Sequence, residues 1–545
     1  MADDLVIQFG DKRKQDDALF SQLRNEIRFV AAPEGGLVHV SDLRRVPRLF
    51  LSHPQAGNIL HAMRLIILAA ILVTVHTLTN GQYGFHRDEL ATVDDARHLA
   101  WGFVAYPPLT PFVARVALTL FGTSLAGLRF FAALAQGLAV ILSGLMAREL
   151  GGKRPAQLVA ALAVAIAPLS IVAGELFQYV SFDYLWWVAT AWMTIRLLKS
   201  EDPRWFVGIG AAVGLGMMTK YTMGVLVIAI AGGLLLTPAR RYLKSPWLWP
   251  GIAISILIFL PNMVWQIQHH LISLDFLRSI HARDVRIGRT NGFLLNQLFV
   301  PACFFTIPLW VASLYYSFFT EEGRRYRPIG WMFVISLVVF LVAQGRDYYM
   351  APAYPMLLAA GAVALMSRSR AVRGSIWAAL ALGVALGVLI LPIAPVNSVF
   401  WNAVSGKLDD FREEIGWPEL VDTVAAIRNS LPADERATAG ILTGNYGEAG
   451  AIDLYGPARG LPNAISGINS YWLRGYGDPP PQTLIVLGMP GETLAQIFES
   501  CAVAGQITNR YGVMNEETAD HRDIYVCRRL RMPWPDFWRA FQSFG

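Results

Sequence analysis

The stretch Tyr83–Pro111, YGFHRDELATVDDARHLAWGFVAYPPLTP, sets His86, Arg87, Asp88 and Glu89 side by side. A carboxylate there can take a proton from a hydroxyl, the first requirement of general base catalysis. Capping a helix N-terminus needs one negative charge and gains about 0.3–1 kcal/mol from it. Two adjacent carboxylates beside a histidine and an arginine point to a site. Asp94 and Asp95 face elsewhere and read as a solvated helix face paired with Arg97 or His98. Further ionisable groups recur between apolar runs. Glu175 and Asp183 bracket ELFQYVSFD, Lys220 lies in MMTKYT, and Arg346 with Asp347 lies in GRDYYMAPAYP. The segment HHLISLDFLRSIHARDVRIGR carries Arg278, Arg283, Arg286 and Arg289 against only two aspartates. Guanidinium groups match phosphate oxygens bidentately, so a bound phosphate accounts for them; salt bridges to the acidic stretch account for them equally well. A proton acceptor and a set of cations suit transfer of a group from a lipid phosphate to an acceptor.

These groups have to be held by elements lying in lipid. The chain has 545 residues, 54% hydrophobic and only 16% charged, with a mean hydropathy of +0.41. Soluble domains are about a quarter charged. The apolar residues fall into runs near the roughly 20 that a helix needs to cross a hydrocarbon core. About eleven spans are expected, near 63–80, 126–147, 155–174, 182–198, 205–220, 222–237, 248–266, 293–318, 329–344, 351–367 and 374–394. Alternate connections are short and basic: Arg148, Lys153 and Arg154; Arg196, Lys199 and Arg204; Arg240, Arg241 and Lys244; Arg324, Arg325 and Arg327; Arg368, Arg370 and Arg373. Basic connections stay in the cytoplasm, and Arg44, Arg45, Arg48 and Arg64 place the N-terminus there too. An odd number of spans then puts Tyr83–Pro111 and everything after about residue 395 outside. The net charge of +6 is explained by these clusters and gives no reason to expect a nucleic-acid partner. Residues 1–62 lack the pattern of a secretory signal and read as a cytoplasmic extension.

The spacing from Asp88 to Trp101 predicts a helix along the outer surface. Pro107–Pro108 stops it, and LTPFVARVALTLFG starts a second surface helix with Pro111 in its first turn. The organisation expected is thus an extension over 1–62, a membrane domain over 63–394 with its first outer loop at 81–125, and an outer domain over 395–545. In that last part WPELVDTVAAIRNSLP has helical spacing, TLIVLG and DIYVCRRL read as buried strands, and ATAGILTGNYGEAGAIDLYG reads as strand, turn and helix. A small α/β domain follows. No dinucleotide or Walker glycine pattern is present, so the glycine turn is read as structural over phosphate-binding. Tyr471, Trp472 and Tyr476 in GINSYWLRGYG either stack on a sugar or pack on the membrane face. Cys501 and Cys527 fall in a compartment where disulfides persist, and a bridge between them is expected; a zinc site lacks the ligand spacing.

Taken together, FHRDEL…RHLAWGFVAYPPLTP, GLGMMTKYT, PNMVWQIQHH, GRDYYMAPAYPMLLAAGA and NYGEAGAIDLYG resemble the bacterial family-39 glycosyltransferases. These belong with the dolichyl-phosphate-mannose protein mannosyltransferases and the lipid A aminoarabinose transferases. The resemblance runs from about residue 64 onward. It implies the GT-C fold, a polytopic helical protein of the bacterial inner membrane, and a polyprenyl-phosphate-sugar donor. It further implies Asp88 as general base with Glu89 assisting, and Asp183 or Glu175 as a second acidic group. Lys220, Arg283, Arg286, Arg346 and His269 would hold the donor phosphate. His86, Arg87, Tyr106 and Tyr349 would contact acceptor or sugar. The expected reaction is a single inverting displacement onto lipid A or lipopolysaccharide, a polysaccharide or a protein. No cofactor is required, and a divalent metal stays open. Where many relatives read DELY this chain reads DELA, which bears on the acceptor. Two other readings compete: a lipid-linked sugar transporter or flippase, for which no inverted repeat is evident, and a non-catalytic assembly factor.

Overall fold

The computed structural model describes residues 54–545, Lys407 excepted. The extension expected over residues 1–62 lies outside the described residues, apart from the start of the helix Pro54–Thr79. Residues Arg64–Gly545 form one compact unit.

Every apolar run of the sequence carries helix, but the runs are not equivalent. Among the described residues five helices are long and apolar enough to cross a bilayer: Leu125–Glu149, Leu248–Gln268, Arg324–Val342, Asp347–Met366 and Arg370–Val388. Two bent pairs bring the number to seven by the same criterion. Arg154–Ala165 and Pro168–Glu175 meet at 64°, and Met223–Leu235 and Pro238–Lys244 at 114°. In each pair a proline lacking an N–H donor opens the second piece. The remaining runs include the apolar part Met63–Thr79 of the helix Pro54–Thr79, and Trp205–Met217 and Phe304–Phe319, which are shorter. Tyr179–Ser200 has the length but carries Asp183, Arg196 and Lys199. Length and composition alone thus single out five spans among the described residues, or seven with the bent pairs, and with Tyr179–Ser200 and the three shorter runs every one of the eleven expected runs carries helix. Periodicity counts apolar runs, whereas breaks and buried charges decide which become full-length rods. Leu125–Glu149 and Asp347–Met366 lie in the interior, while Leu248–Gln268 and Arg370–Val388 present most of their surface outward.

Two shorter helices follow the first apolar one. Arg87–Arg97 is polar at its start, and Leu109–Phe121 buries Thr110, Pro111, Ala114 and Ala117 while exposing Phe112, Val116, Leu120 and Phe121. Small residues inward and large apolar ones outward suit a helix lying at a lipid boundary.

Beyond the helices stands a five-stranded sheet of order β2-β1-β3-β5-β4. Its strands are β1 (Gly440–Thr443), β2 (Ala464–Ser466), β3 (Thr483–Leu487), β4 (Phe498–Gln506) and β5 (Asp523–Leu530). β1 pairs in parallel with β2 and β3, whereas β5 runs antiparallel to β3 and β4. Every residue of β3 is buried, the pattern of a strand covered on both faces. Cys501 and Cys527 stand opposite one another on β4 and β5 and are joined at 2.09 Å. The helices Trp417–Ser430 and Tyr446–Tyr455 cover the sheet, and the second also packs on Arg87–Arg97.

Candidate active site

The short helix Arg87–Arg97 sends its two leading carboxylates in opposite directions. His86 is the N-cap: its Nδ1 accepts the Asp88 N–H at 3.2 Å, and Glu89 accepts the His86 N–H at 2.9 Å. That reciprocal capping fixes the first turn. Glu89 is fully buried and takes Arg129 in a two-point grip, at 2.8 Å from Nε and 2.7 Å from Nη2, together with the Phe177 N–H at 2.8 Å. Arg129 also meets Glu414 at 3.3 Å, and Glu175 is buried close to the same charges. Burial pushes the Glu414 carboxyl up to about 8, with Arg129 opposing and Glu89 reinforcing the shift.

Asp88 instead faces a cavity of about 1120 Å³. Its Oδ1 accepts the Tyr446 hydroxyl at 2.9 Å and its Oδ2 accepts Gln178 Nε2 at 3.1 Å. The side chain remains about one-third exposed. Lys220 lines the same cavity, with its Nζ 4.3 Å from the Tyr349 ring centroid, 5.1 Å from Tyr179 and 5.2 Å from Tyr348. Aromatic faces stabilise an ammonium without neutralising it. Among the described residues no carboxylate lies within ion-pair distance of Lys220. Arg346, Arg283 and Arg289 also line the cavity and share one buried aspartate, Asp284, at 2.6, 3.6 and 4.0 Å. Three guanidiniums on one carboxylate leave net positive charge facing the cavity. Its flank is apolar, with Leu169, Val172, Val225, Leu277 and Ile280, while its far rim carries Asp409, Asp410 and Glu413.

The cavity brings together Asp88, His86, Arg87, Tyr106, Lys220, Arg283, Arg346 and Tyr349. It does not include Glu89, Glu175, Asp183, Arg286 or His269. For Glu89 and Glu175 the reason is the buried Arg129. Asp183 is buried in Tyr179–Ser200, where the Thr222 hydroxyl donates to it at 3.3 Å. His269 stacks on Trp265 at 3.9 Å, with Nδ1 2.8 Å from that residue's carbonyl oxygen. Arg87 is engaged by Glu516, by Glu413 at 3.8 Å and by the Tyr446 hydroxyl at 3.1 Å. The Tyr106 hydroxyl donates to Asp95 at 2.7 Å.

Other expectations are corrected. Asp94 and Asp95 are buried and paired with Arg474, so they are no solvated face. Arg278, Arg283 and Arg289 pair with aspartates of their own segment rather than with the acidic stretch. Tyr476 stacks on Trp534, and Trp472 exchanges indole-to-carbonyl hydrogen bonds with Trp538. Both belong to the core of the outer domain. The Glu448 carboxylate occupies the amides of Gly444 and Asn445 at the glycine turn, the place a phosphate would take. Sequence reading missed Arg129, Gln178, Tyr446 and Glu414. An arginine in the middle of the apolar run GLRFFAALAQ is a signal of its own; the other three carry none. Among the described residues no group of three His, Cys, Asp or Glu side chains converges to hold a metal ion.

The family model of dolichyl-phosphate-mannose-protein mannosyltransferases matches residues 105–265. An uncharacterised protein of Aquifex aeolicus is 23% identical over 278 residues, 48% of this chain and 53% of that one. The undecaprenyl phosphate-alpha-4-amino-4-deoxy-L-arabinose arabinosyl transferase 2 of Pseudomonas fluorescens is 26% identical over 366 residues, 58% of this chain and 56% of that one. The chain thus spans about half the length of the curated relatives it matches. Among solved structures, ArnT from Cupriavidus metallidurans aligns with TM-scores of 0.54 bound to undecaprenyl phosphate and 0.55 in the apo state. Identity is 15% in both, over 85% of this chain and 97% or 98% of ArnT. The resemblance to the family-39 glycosyltransferases is thus borne out, in the matched segment and in the GT-C fold that the chain adopts.

Proposed function

We propose that the protein is a membrane glycosyltransferase that moves a sugar from a polyprenyl-phosphate donor to an alcohol on an extracytoplasmic acceptor, with inversion. Asp88 takes the acceptor proton as the oxygen attacks the anomeric carbon. The bond from that carbon to the phosphate oxygen breaks, and the phosphate leaves against Lys220, Arg346 and Arg283. The apolar flank accommodates the start of the prenyl chain. His86, Arg87, Tyr106 and Tyr349 border the space left for sugar and acceptor. Because Arg87 and Tyr106 already have partners, they contribute shape more than free donors. Lipid A or lipopolysaccharide, a polysaccharide and a protein remain the acceptor classes. The N-terminus lies in the cytoplasm and the sheet domain over 395–545 outside, as the basic connections direct.

One observation carries this reading: the Lys220 ammonium, ringed by tyrosine faces, stands in the same cavity as the one-third-exposed Asp88 carboxylate. A phosphate suits the first and a hydroxyl proton the second. The test is release of polyprenyl phosphate by the purified protein, supplied with the lipid-linked sugars of its host and the envelope fraction as acceptor. Release dependent on acceptor supports a transferase. Movement of lipid-linked sugar across vesicles without release of polyprenyl phosphate would replace it with a transporter. Mass spectrometry of envelope glycans with and without the protein identifies the product.

A further inference from the structure

The motif NYGEAG lies in the outer domain, more than 350 residues from the acidic stretch, and the proposed chemistry gives it no task. We infer that Tyr446 is a positioning residue: its hydroxyl orients the Asp88 carboxylate, so the outer domain completes the active site. This rests on reading Asp88 as the base.

The geometry forms a relay. Arg87 Nε donates to the Tyr446 hydroxyl at 3.1 Å, and that hydroxyl donates to Asp88 Oδ1 at 2.9 Å. The guanidinium carbon also lies 4.9 Å from the Tyr446 ring centroid. With Gln178 on the other oxygen, the carboxylate is held at both ends in one orientation. Its remaining lone pairs are left for an incoming hydroxyl. Burial, and then the Asp88 carboxylate, push the phenol above its usual range, so it stays a proton donor through the physiological interval.

Local sequence explains how the tyrosine arrives there. Asn445 caps the helix Tyr446–Tyr455, accepting the Glu448 N–H at 2.8 Å, which places Tyr446 first in the helix. Gly447 and Gly450 follow on the side that meets Arg87–Arg97. A Cβ on Gly450 would stand 2.7 Å from the Leu90 backbone carbon, and one on Gly447 2.9 Å from the Arg87 Cβ. No side chain fits at either point. The two glycines let the helices touch and bring the phenol within reach of Asp88.

Tyr446→Phe removes the donor and keeps the ring. A hydrogen bond to a charged group contributes about 1.5–3 kcal/mol, so the rate at saturating donor should fall about 10- to 100-fold. Affinity for undecaprenyl phosphate and the unfolding temperature should be unchanged. In an Asp88→Asn background the same substitution should add less than about twofold, because coupled positions are not additive. A residue that only stabilises the fold would lower the rate by the same factor in both backgrounds. If Tyr446→Phe keeps the full rate while Asp88→Asn is inactive, or if the two losses multiply, the positioning role is wrong and the base assignment stands. Full activity of Asp88→Asn overturns the base assignment itself, and the inference with it.

Discussion

The two faces of the helix Arg87–Arg97 hold neighbouring carboxylates of similar chemistry under opposite conditions. On one face Glu89 is dry, ion-paired and capping. On the other Asp88 is partly wet and accepts from two neutral donors, a phenol and an amide. On the proposed reading, the contrast divides the work of one acidic pair. A group that must bind and release a proton cannot also be locked to a guanidinium, which would favour its charged form in every state. A group that anchors the fold gains from such a lock. Adjacent residues of a helix point about 100° apart, so the division needs no extra length of chain.

Breaking the reactive face should have the largest effect. On the proposed reading, Asp88→Asn is expected to lower turnover about 10²- to 10⁴-fold, the range for removal of a general base, while the polyprenyl phosphate probe still binds; radiolabel transfer and lipid binding measure the two. Breaking the anchoring face should act on stability instead. Arg129→Ala leaves the Glu89 carboxylate buried without its cation. A loss of about 3–5 kcal/mol is expected, visible as a much lower unfolding temperature in detergent. Lys220→Met tests the cavity opposite Asp88. On the proposed reading it should weaken binding of a polyprenyl phosphate probe about tenfold, the lower range for a charged hydrogen bond, and leave stability nearly unchanged.

The smallest effect sharpens the anchoring side. Glu414 has its folded value raised to about 8 from the ordinary 4.5. Its carboxyl therefore holds a proton in the folded protein that the unfolded chain has already lost. The stability so contributed is full below pH 4.5 and declines as pH rises through about 8. Glu414→Gln should flatten that decline, and unfolding temperatures measured between pH 5 and pH 9 would record the change. A slope unaltered by the substitution would assign the pH response to other groups.

Features set by local periodicity were legible in the sequence. The apolar runs became helices, TLIVLG and DIYVCRRL became β3 and β5, and Pro107–Pro108 separates the two surface helices. The cations Lys220, Arg283 and Arg346 were legible as a group because charge is rare between apolar runs. What periodicity cannot carry is the partner of each charge. Glu89 is settled by Arg129, 40 residues on, and Asp94 by Arg474, 380 residues on. His86 is a weak sequence signal for a cap because Ser, Thr, Asp and Asn dominate that position. The capping duty of Glu89 was therefore hidden, and the acidic pair looked like one site when it is two. Which runs form unbroken rods was hidden for a similar reason, since a proline bend or a buried charge changes what an apolar run becomes.

At Gly450 the sheet domain meets the Leu90 backbone of the acidic helix, and at Gly447 it meets the Arg87 Cβ. Such a seam tolerates little drift: a methyl added at either glycine would force a neighbour to shift. Chimeras that exchange the C-terminal third with that of a distant relative should therefore succeed only when both sides of the seam travel together, which makes the two segments a single unit of inheritance.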